Sequence, residues 1–201
     1  MAIEAPLGML LLTGGQGRRL GGSKHDRPHP SGGTWGGHLV RVFREVFPSG
    51  PVQILGEPLP DIEDLKGQGI TVVSDPRQGP AVALSSWARS EPPLTVRWWV
   101  VPCDQVTWTP EGLLAWYSQA DDADPSGRGW VMVREGEREQ PLGGFMGSSL
   151  LPSLASFTES RVRDLVARLP RCIVKSDAYR GLDVDVPEDL QAWIGSRPGE
   201  P

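Results

Sequence analysis

Apolar positions along this chain fall into two rhythms. The first is continuous. Residues 7–12 and 98–101 are unbroken apolar runs, and residues 52–55, 70–73 and 130–133 are short extended stretches. Such runs predict strands buried on both faces. The second has helical spacing. Leu39, Phe43, Val46 and Phe47 predict a helix that Pro48-Ser49-Gly50-Pro51 stops. Val82, Ala83 and Trp87 predict another, opened by Gly79-Pro80. Thr109-Pro110-Glu111 supplies a hydroxyl cap, a first-turn proline and an acid at the positive helix end, with Leu113, Leu114 and Tyr117 as the buried face. Residues 149–157 read as helical. Ser160 is placed to cap a helix burying Val162, Leu165, Val166 and Leu169. Residues 140–144 and 172–174 read as extended, and Pro187-Glu188-Asp189-Leu190 opens a final helix. The proline- and glycine-rich stretch 25–37 reads as irregular.

Strand and helix alternate through the first ~120 residues, which predicts an α/β fold with a mostly parallel sheet and helices on both faces. A chain of 201 residues is long enough for one sizeable core and short for two. We therefore expect a single three-layer α/β/α domain over residues 1–196 and a frayed tail over 197–201. Ligands of such sheets bind at the carboxyl ends of the strands. The polar residues expected there are the loop after Leu12, then Asp75, Asp104 and the Asp183/Asp185 pair.

Composition narrows the function. A net charge of −5 and the lack of a basic stripe argue against a nucleic-acid partner. The apolar runs are far below the ~20 residues of a membrane span, so a soluble cytoplasmic protein is expected. Cys103 and Cys172 have neither metal nor redox spacing and read as reduced thiols. His25 and His29 lie in a proline-rich loop, where helical ligand geometry does not follow from their spacing. Most of the eight tryptophans fall in strands and on helix faces, as core residues do.

The first apolar run breaks into Thr13-Gly14-Gly15-Gln16-Gly17-Arg18-Arg19-Leu20-Gly21-Gly22-Ser23-Lys24, and no acid occurs from Ala5 to His25. Free backbone N–H groups beside unopposed cations suit a polyphosphate. The stretch also fits a glycine-rich surface turn. It is not a P-loop, because Gly22-Ser23-Lys24 reverses the required Gly-Lys-Ser order. It is not a dinucleotide fingerprint either, because Leu20 occupies a glycine position. Asp104 ends the most apolar strand, where a carboxylate suits either Mg²⁺ or local backbone N–H groups. Asp75 also fits a turn before Pro76, and Asp185 also fits a helix cap.

Leu12-Thr13-Gly14-Gly15, Arg19-Leu20-Gly21 and Ser23-Lys24 resemble the signature L-x-G-G-x-x-x-R-M-G-x-D-K of the MobA-like nucleotidyltransferases. Asp75 with Gly79-Pro80, Pro102-Cys103-Asp104, Glu137-Arg138-Glu139-Gln140-Pro141-Leu142 and the terminal Asp-x-Asp with Pro-Glu-Asp-Leu follow in the family's order. The resemblance implies a nucleotide-diphospho-sugar transferase-like fold and Mg²⁺-dependent transfer of GMP from GTP to molybdopterin. It implies nucleotide binding by Leu12, Thr13, Gly14, Gly15, Lys24, Asp75, Gly79 and Asp104. Catalytic roles fall to Arg19, Lys24 and Asp104, and metal binding to Asp104 with Asp185 as a second ligand. Molybdoenzymes and cofactor-insertion proteins are the implied partners. Four departures lie near the nucleotide: Ser23 replaces the loop aspartate, Asp26-Arg27 an apolar pair, Gly33-Thr34-Trp35-Gly36 a Gly-Lys/Arg-Pro-Leu stretch, and Leu55 a polar base contact. Val106 also stands where a proline is usual. These departures keep open a cytidylyltransferase or other small nucleotidyltransferase, and a non-catalytic GTP-binding protein.

Overall fold

The apolar runs become strands, covered on both faces except at residues 70–73, where Thr71 and Val72 are exposed. The computed structural model describes residues 5–14, 22–62, 69–135, 138–158, 161–177, 179, 183–184 and 188–189. Its strands are β1 (Ala5–Leu12), β2 (Val52–Leu55), β3 (Ile70–Val73), β4 (Thr95–Pro102), β5 (Trp130–Glu135), β6 (Arg138–Gly147) and β7 (Arg171–Val174). Its α-helices are α1 (Trp35–Val46), α2 (Pro80–Arg89), α3 (Pro110–Ala123), α4 (Leu151–Ala155) and α5 (Val162–Ala167). The strands form one seven-stranded sheet in the order β3-β2-β1-β4-β6-β5-β7. From β3 to β4 neighbours run parallel; β6 is antiparallel to β4 and β5, and β7 is parallel to β5.

Side chains alternate across a strand, so each apolar run feeds two cores. Met9 and Leu11 of β1 join Trp99 and Val101 of β4 beneath Leu39 and Phe43 of α1 and Trp116 of α3. Leu10, Trp98 and Val100 face the other way, against Trp87 of α2, Leu154 of α4 and Leu165 of α5. This is the expected three-layer α/β arrangement. Trp35, Trp87, Trp98, Trp99, Trp108, Trp116 and Trp130 are each at most 1% exposed, so they are core residues; Trp193 lies outside the described residues. Among the described residues, no helix is long and apolar enough to cross a membrane.

Helix α1 differs from expectation. It starts at Trp35 and includes Gly36 and Gly37, where the composition predicts irregular structure. The cause is long-range. Thr34 caps the helix by accepting from the Gly37 N–H at 3.0 Å, and its hydroxyl donates to Asp61 at 2.8 Å. The Thr34 N–H donates to the other Asp61 oxygen at 3.0 Å. A Cβ on Gly37 would overlap the Asp61 carboxylate. Gly37→Ala is therefore expected to lower stability by about 1–3 kcal/mol. Helix propensity alone predicts a gain of up to about 1 kcal/mol. The sign of the shift in urea unfolding decides between them, and a more stable variant would refute the cap.

Two smaller differences lie beyond β6. Residues 149–157 resolve into a 3₁₀ turn (Ser148–Leu150) and the short α4. The helix assigned a Ser160 cap begins at Val162, with Arg161 in the capping position and no side-chain cap. Ser160 itself lies outside the described residues, as does Pro187, the expected start of the final helix.

Candidate active site

The parallel strands β1 to β4 deliver their carboxyl ends to one edge of the sheet. The ladder continues one step past each strand: the Thr13 N–H donates to Leu55 O at 3.0 Å, Cys103 N–H to Leu12 O at 3.0 Å, and Gly56 N–H to Val73 O at 3.0 Å. Thr13 is 2% exposed, and its hydroxyl donates to the Glu57 carbonyl at 2.7 Å. It fastens the β1 loop to the turn after β2.

Gly14 lies against Asp75. A Cβ on Gly14 would overlap Asp75 Oδ2, so only glycine permits this approach. The other oxygen, Oδ1, accepts from the Arg77 N–H at 2.8 Å, and Arg77 in turn pairs with Glu57. Gly79 caps α2, whose first turn holds Pro80. Leu55 is 1% exposed and packs into the core.

Lys24 and Asp104, 80 residues apart, meet at the end of β4. Lys24 Nζ donates to Asp104 Oδ2 at 2.7 Å, with side chains 13% and 17% exposed. Asp104 Oδ1 is buried and accepts no hydrogen bond from the described residues. A hard oxygen left unpartnered in this way fits a divalent cation such as Mg²⁺. Among the described residues no group of three or more His, Cys, Asp or Glu forms a metal cage. One carboxylate with phosphate oxygens and water is the arrangement that Mg²⁺ prefers. Arg19, Gly15 and Asp185 lie outside the described residues.

The surroundings of Asp104 set its chemistry. Burial pushes the Cys103 thiol well above its ordinary range, and the Asp104 carboxylate adds to the rise. Cys103 is therefore not a nucleophile at neutral pH. Val106, in the usual proline position, packs with Trp35 and Val184 in a small cluster of its own. The loop after Lys24, the Asp104 turn and the C-terminal segment thus share one apolar contact. In the same loop His29 stacks face to face on His38, with ring centroids 3.7 Å apart.

Asp104 also lines a cleft of about 440 Å³, together with Gln105, Leu142 and Asp183. Arg138, Arg161 and Arg163 border the same cleft, and their side chains have no ion-pair partner among the described residues. The sequence pattern did not single out these arginines or Gln105. Arg138 lies in a segment shared with the family, but nothing local marks the other two as converging on Asp104.

The chain matches the MobA-like NTP transferase domain over residues 9–172. No curated protein matches it. Several solved structures share the fold. Rv0371c from Mycobacterium tuberculosis H37Rv is 21% identical with a TM-score of 0.70, covering 98% of this chain and 100% of that one. Molybdopterin-guanine dinucleotide biosynthesis protein A from Archaeoglobus fulgidus is 16% identical with a TM-score of 0.65, covering 92% of this chain and 95% of that one. The 2-C-methyl-D-erythritol 4-phosphate cytidylyltransferase from Thermus thermophilus is 17% identical with a TM-score of 0.57, covering 91% and 95%. With the glycine loop at the end of β1 and the Pro102-Cys103-Asp104 turn at the end of β4, the chain belongs to the MobA-like NTP transferase family.

Proposed function

We propose that this nucleotidyltransferase moves GMP from GTP to molybdopterin and releases pyrophosphate. The observation that carries the reading is the Lys24–Asp104 pair, half-closed at the strand ends beside the Gly14–Asp75 contact. A cation and a carboxylate with one open oxygen meet the two needs of phosphoryl chemistry, positioning and charge neutralisation.

In this reading the nucleotide lies along the β1 loop, with Thr13 holding that loop on β2 and Asp75 and Gly79 bordering the nucleoside. Lys24 exchanges Asp104 for phosphate oxygens and stabilises charge on the α-phosphate and the departing pyrophosphate. Arg19 is assigned the same task. Asp104, with Asp185 as a second ligand, would hold Mg²⁺, which when bound would supply neutralisation of phosphate charge. A terminal phosphate oxygen of molybdopterin attacks the α-phosphorus, and the bond from that phosphorus to the β-phosphate oxygen breaks. The nucleophile is already ionised at neutral pH, so the site needs no strong base. The cleft beside Asp104 receives the acceptor, where Arg138, Arg161 and Arg163 offer charge to its anionic groups.

The name of the Archaeoglobus fulgidus structure supports the acceptor and the base, and a manganese complex of Rv0371c supports a divalent cation. The second reading, cytidylyl transfer, is favoured by the buried Leu55 and by cytidylyltransferases of the same fold. A cytoplasmic location and hand-over to molybdoenzymes through cofactor-insertion proteins belong to the first reading.

The test is Mg²⁺-dependent pyrophosphate release with molybdopterin and GTP, CTP or ATP. Release with GTP alone is expected. Release with CTP alone keeps the mechanism and overturns the base. Nucleotide binding without any release would mark a non-catalytic binding protein.

A further inference from the structure

We propose that Glu57 is the specificity residue that reads the guanine base, with Arg77 as the positioning residue that aims its carboxylate. This rests on the reading that the nucleoside lies beside Asp75 and Gly79.

Glu57 follows β2 and Arg77 follows β3. Three contacts tie their turns to the β1 loop. The Glu57 carbonyl accepts from the Thr13 hydroxyl at 2.7 Å. Gly56, at φ 125°, lies so close to Gly14 that a Cβ there would overlap the Gly14 nitrogen. The Arg77 N–H donates to Asp75 Oδ1 at 2.8 Å, while Asp75 Oδ2 lies against Gly14. Arg77 is held at φ 57°, a left-handed conformation that is unfavourable for a residue with a side chain. In that pose its guanidinium reaches Glu57 Oε1, 20 residues away in the chain. The two side chains are 77% and 47% exposed. An ion pair so open adds little to stability. It is tied to the nucleotide loop and remains accessible.

Strand order decides which part of the nucleotide it meets. Along the edge β4-β1-β2-β3, Lys24 and Asp104 mark the β4 end, which suits phosphates and metal. Glu57 and Arg77 mark the β2 and β3 end. Neighbouring strands are ~4.8 Å apart, so the two pairs stand on the order of 10–15 Å from each other. An extended nucleoside triphosphate spans that distance, with its phosphates at one end and its base at the other. Leu55 is buried in the core and brings the base no polar side chain; Glu57, two residues on, does.

Chemistry then selects the base. A carboxylate only accepts hydrogen bonds. Guanine presents two neighbouring donors on its pairing edge, the N1–H and the 2-amino group, and they match the two carboxylate oxygens. Cytosine, adenine and uracil each present one donor beside acceptors, which a carboxylate repels. Arg77 bonds Oε1 and leaves Oε2 and a second lone pair of Oε1 for the base.

The test is calorimetric titration with GTP, inosine triphosphate and CTP in the presence of Mg²⁺. Inosine triphosphate lacks the 2-amino group, so the parent should bind GTP about tenfold more tightly. Glu57→Gln keeps the shape of the side chain. It should weaken GTP about 30-fold, bring GTP and inosine triphosphate within about twofold of each other, and leave CTP within about twofold of its parent value. Arg77→Gly suits the backbone at φ 57° and removes only the guanidinium. It should lower the GTP-to-inosine preference at least about threefold, which a merely structural arginine would not do. Thermal unfolding of both variants should stay within about 3 °C of the parent. An unchanged GTP-to-inosine preference in Glu57→Gln overturns the proposal. So does an equal loss of GTP and CTP, which would mark a structural glutamate. A parent that prefers CTP overturns the guanylyl reading and this inference with it. A parent that prefers GTP and keeps that preference in Glu57→Gln overturns this inference alone.

Discussion

Lys24→Ala is expected to lower turnover on the order of 100-fold. The same substitution is expected to tighten Mn²⁺ binding to the nucleotide-free protein. The two effects share one cause. Lys24 Nζ sits 2.7 Å from Asp104 Oδ2, on the same carboxylate whose unpartnered Oδ1 would take the metal ion. An ammonium and a divalent ion on one carboxylate repel each other, so a metal ion arriving alone binds against that repulsion. A nucleotide changes the balance by offering the lysine phosphate oxygens instead. Metal and nucleotide should therefore assist each other's binding in the parent protein, and by linkage the assistance must be mutual. Removing the lysine abolishes the repulsion and the assistance together. Electron paramagnetic resonance of free Mn²⁺, titrated with and without GTP, reads both. Weaker Mn²⁺ binding in Lys24→Ala would mean that the lysine supports the metal site rather than guarding it.

Asp104→Asn is expected to lower turnover by a similar order, about 100-fold, and to abolish Mn²⁺ binding in the presence of nucleotide. The shape of the side chain is retained, so the loss reports charge. The partly buried Lys24 loses its ion pair with Asp104, which is expected to cost about 1–3 kcal/mol of stability. The double variant Lys24→Ala with Asp104→Asn separates the two roles. It should recover most of the lost stability and none of the lost turnover. Full turnover in Asp104→Asn, measured as pyrophosphate release, would remove this carboxylate from the mechanism.

How much of this was legible in the chain depends on the range of the interaction concerned. The strands were legible because a strand buried on both faces writes its burial as an unbroken apolar run, as residues 98–101 do. The strand-end positions of Gly14, Asp75 and Asp104 followed from that pattern and from the rule for parallel sheets. The start of α1 was not legible, because Thr34 and Asp61 create it across 27 residues and the local glycines argue against it. The cleft was legible only in part. Arg138 lies in a recognisable segment, but Arg161 and Arg163 enter through the way α5 is laid against β6, the strand paired with β4. Gln105 carries no motif. Its hydrogen bonds exist only because Trp108, Leu142, Tyr179 and Asp183 arrive around one amide.

The contact of Trp35 with Val106 and Val184 has a consequence for anyone redesigning this enzyme. The three residues come from the loop that follows Lys24, the turn that bears Asp104 and the segment that bears Asp183. They behave as one interchangeable part. Transplanting a relative's segment in place of Trp35 without its matching turn would leave a hole the size of an indole against Val106 and Val184. Restoring the relative's proline at position 106 while keeping Trp35 would force a ring into a space shaped by a branched side chain. Loop, turn and tail have to be exchanged together.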